Sequence, residues 1–422
     1  MRRLALAATW LALNLLWVAN DHLPRDGDEE GHVGAAELFR AQLQAGDWLG
    51  FARDTLIGDL GEYPPLFPAL VGGWWHLVGA GQPGQVAVRG VCLAGLLLAA
   101  WATGRLAGTL HGKPGATPGE RTSPGEVPEL ATFALVLSLP LANGLARHFM
   151  PEGLLVGLVA LAIWQAWRLG ERPTIPGMIG LGVVLGLGLL VKQTFILYAL
   201  LPVIWAGRRA RGGLLLAGVV AALVAGPWYG LHWSQQLGYG EAAAVADPGI
   251  TVWAHAAYYP AAAAWIGLGP ALLIAAAAAA VLVLAKRPRP ARPALALATV
   301  WALGGGLLLT AIPKKYPRLM APLTPAAALV VGVVLAHTER RRLAMAAIVL
   351  PAWAWTGISS LREGNAPGFV PEVDQRCLQR WLRAPAADDM GLGQIATAIA
   401  HAADGVVVVR AGPEIPCTVQ TT

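Results

Sequence analysis

The sequence predicts an all-α integral membrane protein of about eleven crossings. Three observations predict it: few charges, repeated long uncharged runs, and basic clusters that alternate with those runs. Of 422 residues, 56% are hydrophobic and 13% charged, whereas a soluble domain carries about a quarter charged residues. A water-soluble fold could not hide so much apolar surface, so lipid is the solvent for most of it. Uncharged runs occupy 4–20, 90–104, 130–146, 173–191, 212–240, 248–285, 293–313, 319–338 and 343–361, and several reach the roughly 20 residues that span a bilayer as a helix. The period-two alternation of a transmembrane barrel strand is absent.

Charge sets the topology. Lys and Arg concentrate in short cytoplasmic loops. Clusters fall at Arg2-Arg3, Arg105/Lys113/Arg121, Arg168/Arg172, Arg208-Arg209/Arg211, Lys286-Arg287/Arg289/Arg292 and Arg340-Arg341-Arg342. Assigned to one side, they give it 17 basic and 5 acidic residues and leave 14 basic and 20 acidic on the other. The crossings are then 4–20, 87–105, 129–147, 151–168, 174–191, 194–207, 213–233, 258–285, 293–312, 319–337 and 343–360, with the N-terminus cytoplasmic and the C-terminus extracytoplasmic. The first run, after Met1-Arg2-Arg3, reads as an uncleaved helix because no small-x-small cleavage site follows it. Pro64–Ala80 must lie on or dip into the outer leaflet, since a crossing there would invert every later cluster. Trp164, Trp167 and Trp205 fall at inner ends and Trp17, Trp228 and Trp233 at outer ends, as in an aromatic belt.

The chain divides into a membrane domain, 1–361, and an extracytoplasmic tail, 362–422. The first outer loop, 21–63, holds ten acidic and three basic residues, and within it Gly34–Leu49 can form an amphipathic surface helix through Ala35, Leu38, Phe39 and Leu43. The loop His111–Pro128 reads as a Gly/Pro/Thr-rich linker. The tail reads as a small α/β appendage, helical near Asp374–Arg383 and strand-like at Val406–Val409. Cys92 sits in an apolar run and reads as packing, while Cys377 and Cys417 leave a disulfide open if the tail lies outside.

Chemistry concentrates on the outer side. Asp26-Gly27-Asp28-Glu29-Glu30-Gly31-His32 follows the first helix. As a bare feature it is a solvated acidic loop, but Asp28 and His32 stand four apart and could share a helix face. A carboxylate there could serve as a general base toward a hydroxyl or hold a divalent cation, and His32 reads as a hydrogen-bonding or packing residue. Pro313-Lys314-Lys315-Tyr316-Pro317-Arg318 is basic on the side where basic residues are disfavoured, and suits an anion such as a lipid phosphate. Lys192, at a tight hairpin tip, and Arg147, at another outer helix end, extend this cationic rim. Glu152 stands near enough in sequence to pair with Arg147. Tyr63-Pro64-Pro65-Leu66 gives an extended approach to the half-inserted segment.

Several short motifs follow one order along the spans: Asp28-Glu29, Tyr63-Pro64-Pro65-Leu66, Arg147 with an acidic residue soon after, Lys192-Gln193, Gly226-Pro227-Trp228-Tyr229 and Lys315-Tyr316-Pro317-Arg318. Over about residues 1–340 the pattern resembles the GT-C membrane glycosyltransferases, specifically the protein O-mannosyltransferase and lipid A aminoarabinose transferase group of glycosyltransferase family 39. The resemblance implies an inverting transfer from a polyprenyl-phosphate sugar to a hydroxyl acceptor, at the outer face of a bacterial plasma membrane. It makes Asp28 and Glu29 the catalytic carboxylates. Lys192, Lys314, Lys315, Arg318 and Arg147 become the phosphate-binding groups, and His32, Tyr63, Glu152 and Tyr316 substrate-positioning groups. The sequence departs from the pattern at Glu152, where many relatives carry Asp nearer the Arg. No metal ligand set is implied, and a divalent cation stays open. A transporter or lipid-sugar flippase would instead place polar groups near the midplane with inverted repeats, and no repeat is visible. A non-catalytic scaffold would have little use for Asp28, Glu29 and the basic rim. The positive net charge follows from topology and calls for no nucleic-acid partner.

Overall fold

Runs of Ala, Leu, Val and Gly without charges leave the backbone no partner in lipid but itself, and helices form wherever such runs occur. The computed structural model describes residues 2–21, 27–60, 63–79, 85–111, 126–244, 258–286, 291–312, 316–338 and 341–361. The α/β appendage, the Cys377 and Cys417 pair, most of the linker, and Lys314 and Lys315 lie outside the described residues. In chain order the helices are α1 (Arg2–Ala19), α2 (Gly27–Gln44), α3 (Trp48–Ile57), α4 (Leu66–Val78), α5 (Gln85–His111), α6 (Glu126–Leu137), α7 (Pro140–Arg147) and α8 (Glu152–Glu171). There follow α9 (Ile175–Val191), α10 (Phe195–Gly207), α11 (Arg211–Leu231), α12 (Trp233–Ala244), α13 (Tyr258–Lys286) and α14 (Ala291–Ala311). A 3₁₀ turn (Pro317–Leu323) leads into α15 (Pro325–Leu335), and α16 (Arg341–Leu361) ends the series. There is no strand among the described residues. Over the described residues the protein is an all-helical integral membrane protein.

Among the described residues, seven helical segments are long and apolar enough to cross a bilayer, and the bent pair α6–α7 makes an eighth. Apolar helices α4, α9 and α10 are shorter, with α9 rising about 25 Å and α10 about 20 Å at 1.5 Å per residue. Burial separates the rest into two classes. Helix α8 and the Pro317–Leu335 segment are 72% buried at their most apolar and α5 is 61% buried, whereas α11, α13 and α16 are only 17–22% buried. The first set forms the centre, and the second presents Leu215, Leu223, Ile274, Val281, Leu350 and Ile358 outward, the surface lipid covers.

Contacts fix the two ends of the bundle. At one end Arg3 and Arg105 both pair with Glu129, and His111 stacks edge-on to His337. At the other Arg89 faces Asp21 at 3.7 Å and Trp17 donates to the Ser360 carbonyl at 3.0 Å. Helices α1 and α5 therefore run between the same ends in opposite senses, as their charges predict.

Helices α5 and α8 meet at glycines. A Cβ on Gly95 would strike the Gly153 carbonyl, and one on Gly157 would strike Gly95, so the backbones close to a distance that side chains forbid. Cys92 lies fully buried beside this seam, its thiol toward the Met150 carbonyl at 3.3 Å, which bears out its reading as packing. The α6–α7 pair bends by 59° where Pro140 cannot donate to the helix. Asn143 repairs the break by donating to the Leu137 and Leu139 carbonyls at 2.7 and 2.8 Å, and Trp10 of α1 donates to Asn143 Oδ1 at 2.7 Å.

Two details differ from the sequence reading. Helix α2 begins at Gly27 rather than near Gly34, because the acidic run Asp28-Glu29-Glu30 forms its first turn, where carboxylates face the positive end of the helix dipole. Its buried side is Val33, Ala36, Phe39 and Leu43, and Leu38 is exposed. Trp17, Trp164, Trp167 and Trp228 do not join a lipid-facing belt; all four are buried, with Trp228 donating to the Gly58 carbonyl at 3.0 Å.

The glycine seam is testable. Gly95→Leu should cost about 1–3 kcal/mol, the range of overpacking, and lower the unfolding midpoint in detergent. Gly218→Leu, on α11 with open space around it, should leave the midpoint unchanged.

Candidate functional site

Five chain segments converge at the Arg89 end: the first turn of α2, Tyr63 before α4, the α7–α8 corner, the α9–α10 turn, and the start of the 3₁₀ turn. Each delivers its side chain for a local reason. Glu152 opens α8 and Lys192 closes α9, so each sits at the helix end whose dipole favours its charge. Pro317 starts the 3₁₀ turn and fixes the direction of Arg318. Asp28 and Glu29 are adjacent in the first turn of α2, so they point about 100° apart around the helix.

That divergence separates the two carboxylates. Glu29 turns inward, 2% exposed. Its Oε1 accepts from the Phe149 backbone N–H at 2.8 Å and faces His148 Nδ1 at 3.2 Å. It ties α2 to the α7–α8 corner. Asp28 turns to the convergence and pairs with Arg318 at 2.8 Å, its side chain 42% exposed. Arg318 also lies 3.7 Å from Glu152 Oε1, and Lys192 Nζ donates to that same oxygen at 2.6 Å. The result is a chain of alternating charge, Asp28–Arg318–Glu152–Lys192, with Glu152 and Lys192 almost fully buried. Tyr63 lies with its ring 6.0 Å from Lys192 Nζ, and Tyr316 with its ring 5.2 Å from the Arg318 guanidinium.

His32, one turn along from Asp28, packs on Tyr63 and Phe67 with ring centroids 4.8 and 5.3 Å away. Burial, with the Lys192 charge adding to it, pushes the imidazole down to about 4, so His32 is neutral at pH 7. Among the described residues no three of His, Cys, Asp and Glu converge as a metal site.

The structure brings together Asp28, Arg318, Glu152, Lys192, Tyr63, Tyr316 and His32. Arg147 does not join them. Its Nε donates to Asn14 Oδ1 at 2.7 Å and its guanidinium lies 5.1 Å over Trp17, so it braces α7 against α1. The expected Arg147 and Glu152 pairing gives way to Lys192 and Arg318 as the partners of Glu152. His148 and Asn14 were missed by the sequence reading. An Asn in the middle of an apolar first helix was the one available signal, since a polar side chain in lipid needs a buried partner.

Comparison with known proteins agrees with this architecture. No protein-family model and no curated protein sequence matches the chain. Among solved structures, the crystal structure of ArnT from Cupriavidus metallidurans bound to undecaprenyl phosphate matches with a TM-score of 0.57 at 19% identity. It covers 80% of this chain and 60% of that one. The apo structure of the same protein matches with a TM-score of 0.53 at 20% identity, covering 81% and 60%. The chain has the GT-C fold. It spans about 60% of the length of ArnT. The GT-C resemblance read from short ordered motifs is thus borne out in the fold.

Two outcomes follow from the geometry. Glu29→Ala should leave the Phe149 N–H and His148 without their buried acceptor and cost about 1–3 kcal/mol, read as a lower unfolding midpoint. The unfolded chain takes up a proton at His32 near pH 6.5 and the folded chain only near 4. Protonation therefore favours unfolding, and stability should fall between pH 6.5 and 4 by up to about 3 kcal/mol. His32→Phe should flatten that part of the profile, measured as the midpoint difference between the two proteins across pH.

Proposed function

We propose that the chain is an inverting glycosyltransferase that moves a sugar from a polyprenyl-phosphate donor to a hydroxyl acceptor at the extracytoplasmic face of the membrane. The observation that carries this reading is the Asp28–Arg318 contact at 2.8 Å beside the Lys192–Glu152 pair. A proton acceptor and two phosphate-binding cations occupy one patch at the end of a GT-C bundle. The related fold of ArnT, crystallised with undecaprenyl phosphate, supports the donor class. The charge pattern supports an N-terminus in the cytoplasm and the site outside, and the resemblance to bacterial ArnT supports a bacterial plasma membrane.

In this mechanism Asp28 accepts the proton of the acceptor hydroxyl as its oxygen attacks the anomeric carbon opposite the phosphate. The bond from that carbon to the phosphate oxygen breaks, its electron pair leaves with the phosphate, and the configuration inverts. A lipid phosphate leaves without protonation at neutral pH, so the second requirement is charge stabilisation, which Lys192 and Arg318 supply. Glu152 holds Lys192 and Arg318 side by side, and Glu29 holds α2 in place rather than touching substrate. Neutral His32 and Tyr63 form a wall against which a sugar ring packs. A flippase or transporter reading has less support, because the ion pairs gather at the ends of the bundle rather than at its middle.

Asp28→Asn should lower transfer by about 10²–10⁴-fold, the usual contribution of a positioned base, with expression unchanged. Lys192→Met should lower it by about 10²-fold or more. The assay is transfer of radiolabelled sugar from polyprenyl-phosphate sugars in membranes. Full activity of the Asp28 variant would rule out the mechanism.

A further inference from the structure

The base in this reading is engaged in the structure: the Asp28 carboxylate is held by the Arg318 guanidinium. The pair turns Oδ2 of Asp28 toward Arg318 and sets the orientation of the carboxylate, so that oxygen is not presented to a third group while the pair holds. The charge balance shows what releases it. Among the described residues the site holds two cations, Lys192 and Arg318, and two carboxylates, Asp28 and Glu152, with His32 neutral. A phosphate that takes up these cations in a region of low dielectric competes with the carboxylates that hold them.

The two carboxylates are not equal competitors. Glu152 is 1% exposed, accepts from Lys192 at 2.6 Å, and also faces Arg318; leaving would strip it of every partner in a place water does not reach. Asp28 is 42% exposed, and Arg318 is the cation it contacts. Water replaces that partner at little cost. Asp28 is therefore the group that yields.

We infer that the donor phosphate takes Arg318 from Asp28, so that donor binding itself frees the base and the donor binds before the acceptor is activated. This rests on the transferase reading and deepens it. Arg318 is then a group with two successive partners: Asp28 in the empty site, the lipid phosphate in the loaded one. Once Arg318 has turned to the phosphate, Asp28 accepts the acceptor proton, the new C–O bond forms, and the departing phosphate keeps Arg318. Asp28, half-exposed, then gives its proton to solvent, and release of the lipid phosphate returns Arg318 to the Asp28 carboxylate. A hydroxyl that arrives before the donor, water included, meets a carboxylate that is still occupied.

The test measures the affinity of the full-length protein in lipid nanodiscs for undecaprenyl monophosphate, a probe without a sugar. Removing the competitor should tighten binding: Asp28→Asn should bind about fivefold more tightly than wild type, the scale of one exposed ion pair. Arg318→Gln should weaken binding, and in that background Asp28→Asn should gain almost nothing. Arg318→Lys serves if the Gln variant does not fold, since lysine keeps the charge but not the guanidinium's two-sided reach. Unchanged or weaker binding by Asp28→Asn overturns the inference. So does an equal gain with and without Arg318, which would mean simple repulsion between Asp28 and the phosphate. In both cases wild-type binding that depends on Arg318 leaves the transferase reading standing. Absence of binding by wild type and every variant sinks both.

Discussion

Two cations cannot share a buried patch unless an anion lies between them, and in this protein that anion is Glu152. Its carboxylate receives Lys192 at 2.6 Å and lies 3.7 Å from Arg318, so one oxygen holds together the α9–α10 turn and the 3₁₀ turn that precedes α15. In a medium of low dielectric the repulsion between two unshielded cations would drive those segments apart. The position of Glu152 at the start of α8 adds the field of the helix dipole. The arrangement holds Lys192 and Arg318 close and oriented in one patch.

The corner that carries Glu152 is itself held from both sides. Pro140 breaks the helix before it, Asn143 satisfies the carbonyls that the break exposes, and Trp10 locks Asn143 from α1. On the near side Glu29 receives the Phe149 N–H, and Arg147 reaches back to Asn14 and Trp17. Polar contacts of this kind are worth more than their number suggests, because neither lipid nor a packed core offers an alternative partner. They set the distance between Asp28 on α2 and Arg318 on the far side of the patch.

Much of this was legible in the sequence. Uncharged runs gave the helices, basic clusters gave the alternation of ends, and the misplaced basic residue Arg318 was correctly associated with Asp28. The i, i+4 spacing placed His32 and Asp28 on one helix. What failed has identifiable causes. Arg147 and Glu152 are five residues apart and look like a pair, but α7 ends at the one and α8 begins at the other, and the corner between them sends the side chains in different directions. The sequence left the acidic run open between a solvated loop and a helix turn, because its charges favour solvent; it forms the first turn of α2. Trp17 and Trp228 looked interfacial because they sit near the ends of apolar runs, and sequence position does not reveal which side of a helix faces a neighbour. Helices α9 and α10, with 17 and 13 residues, are shorter than the spans around them.

Helices α11, α13 and α16 show most of their surface to lipid, and this bears on how such a chain ages. A residue facing acyl chains is tested only for being apolar, because no neighbouring side chain measures its shape. Leu, Ile, Val and Ala can replace one another there almost freely. Much of the amino-acid text can thus be rewritten while the helices stay where they are, and comparison by letters loses its hold before comparison by shape. A chain can then share a backbone path with a protein it matches at only 19% identity.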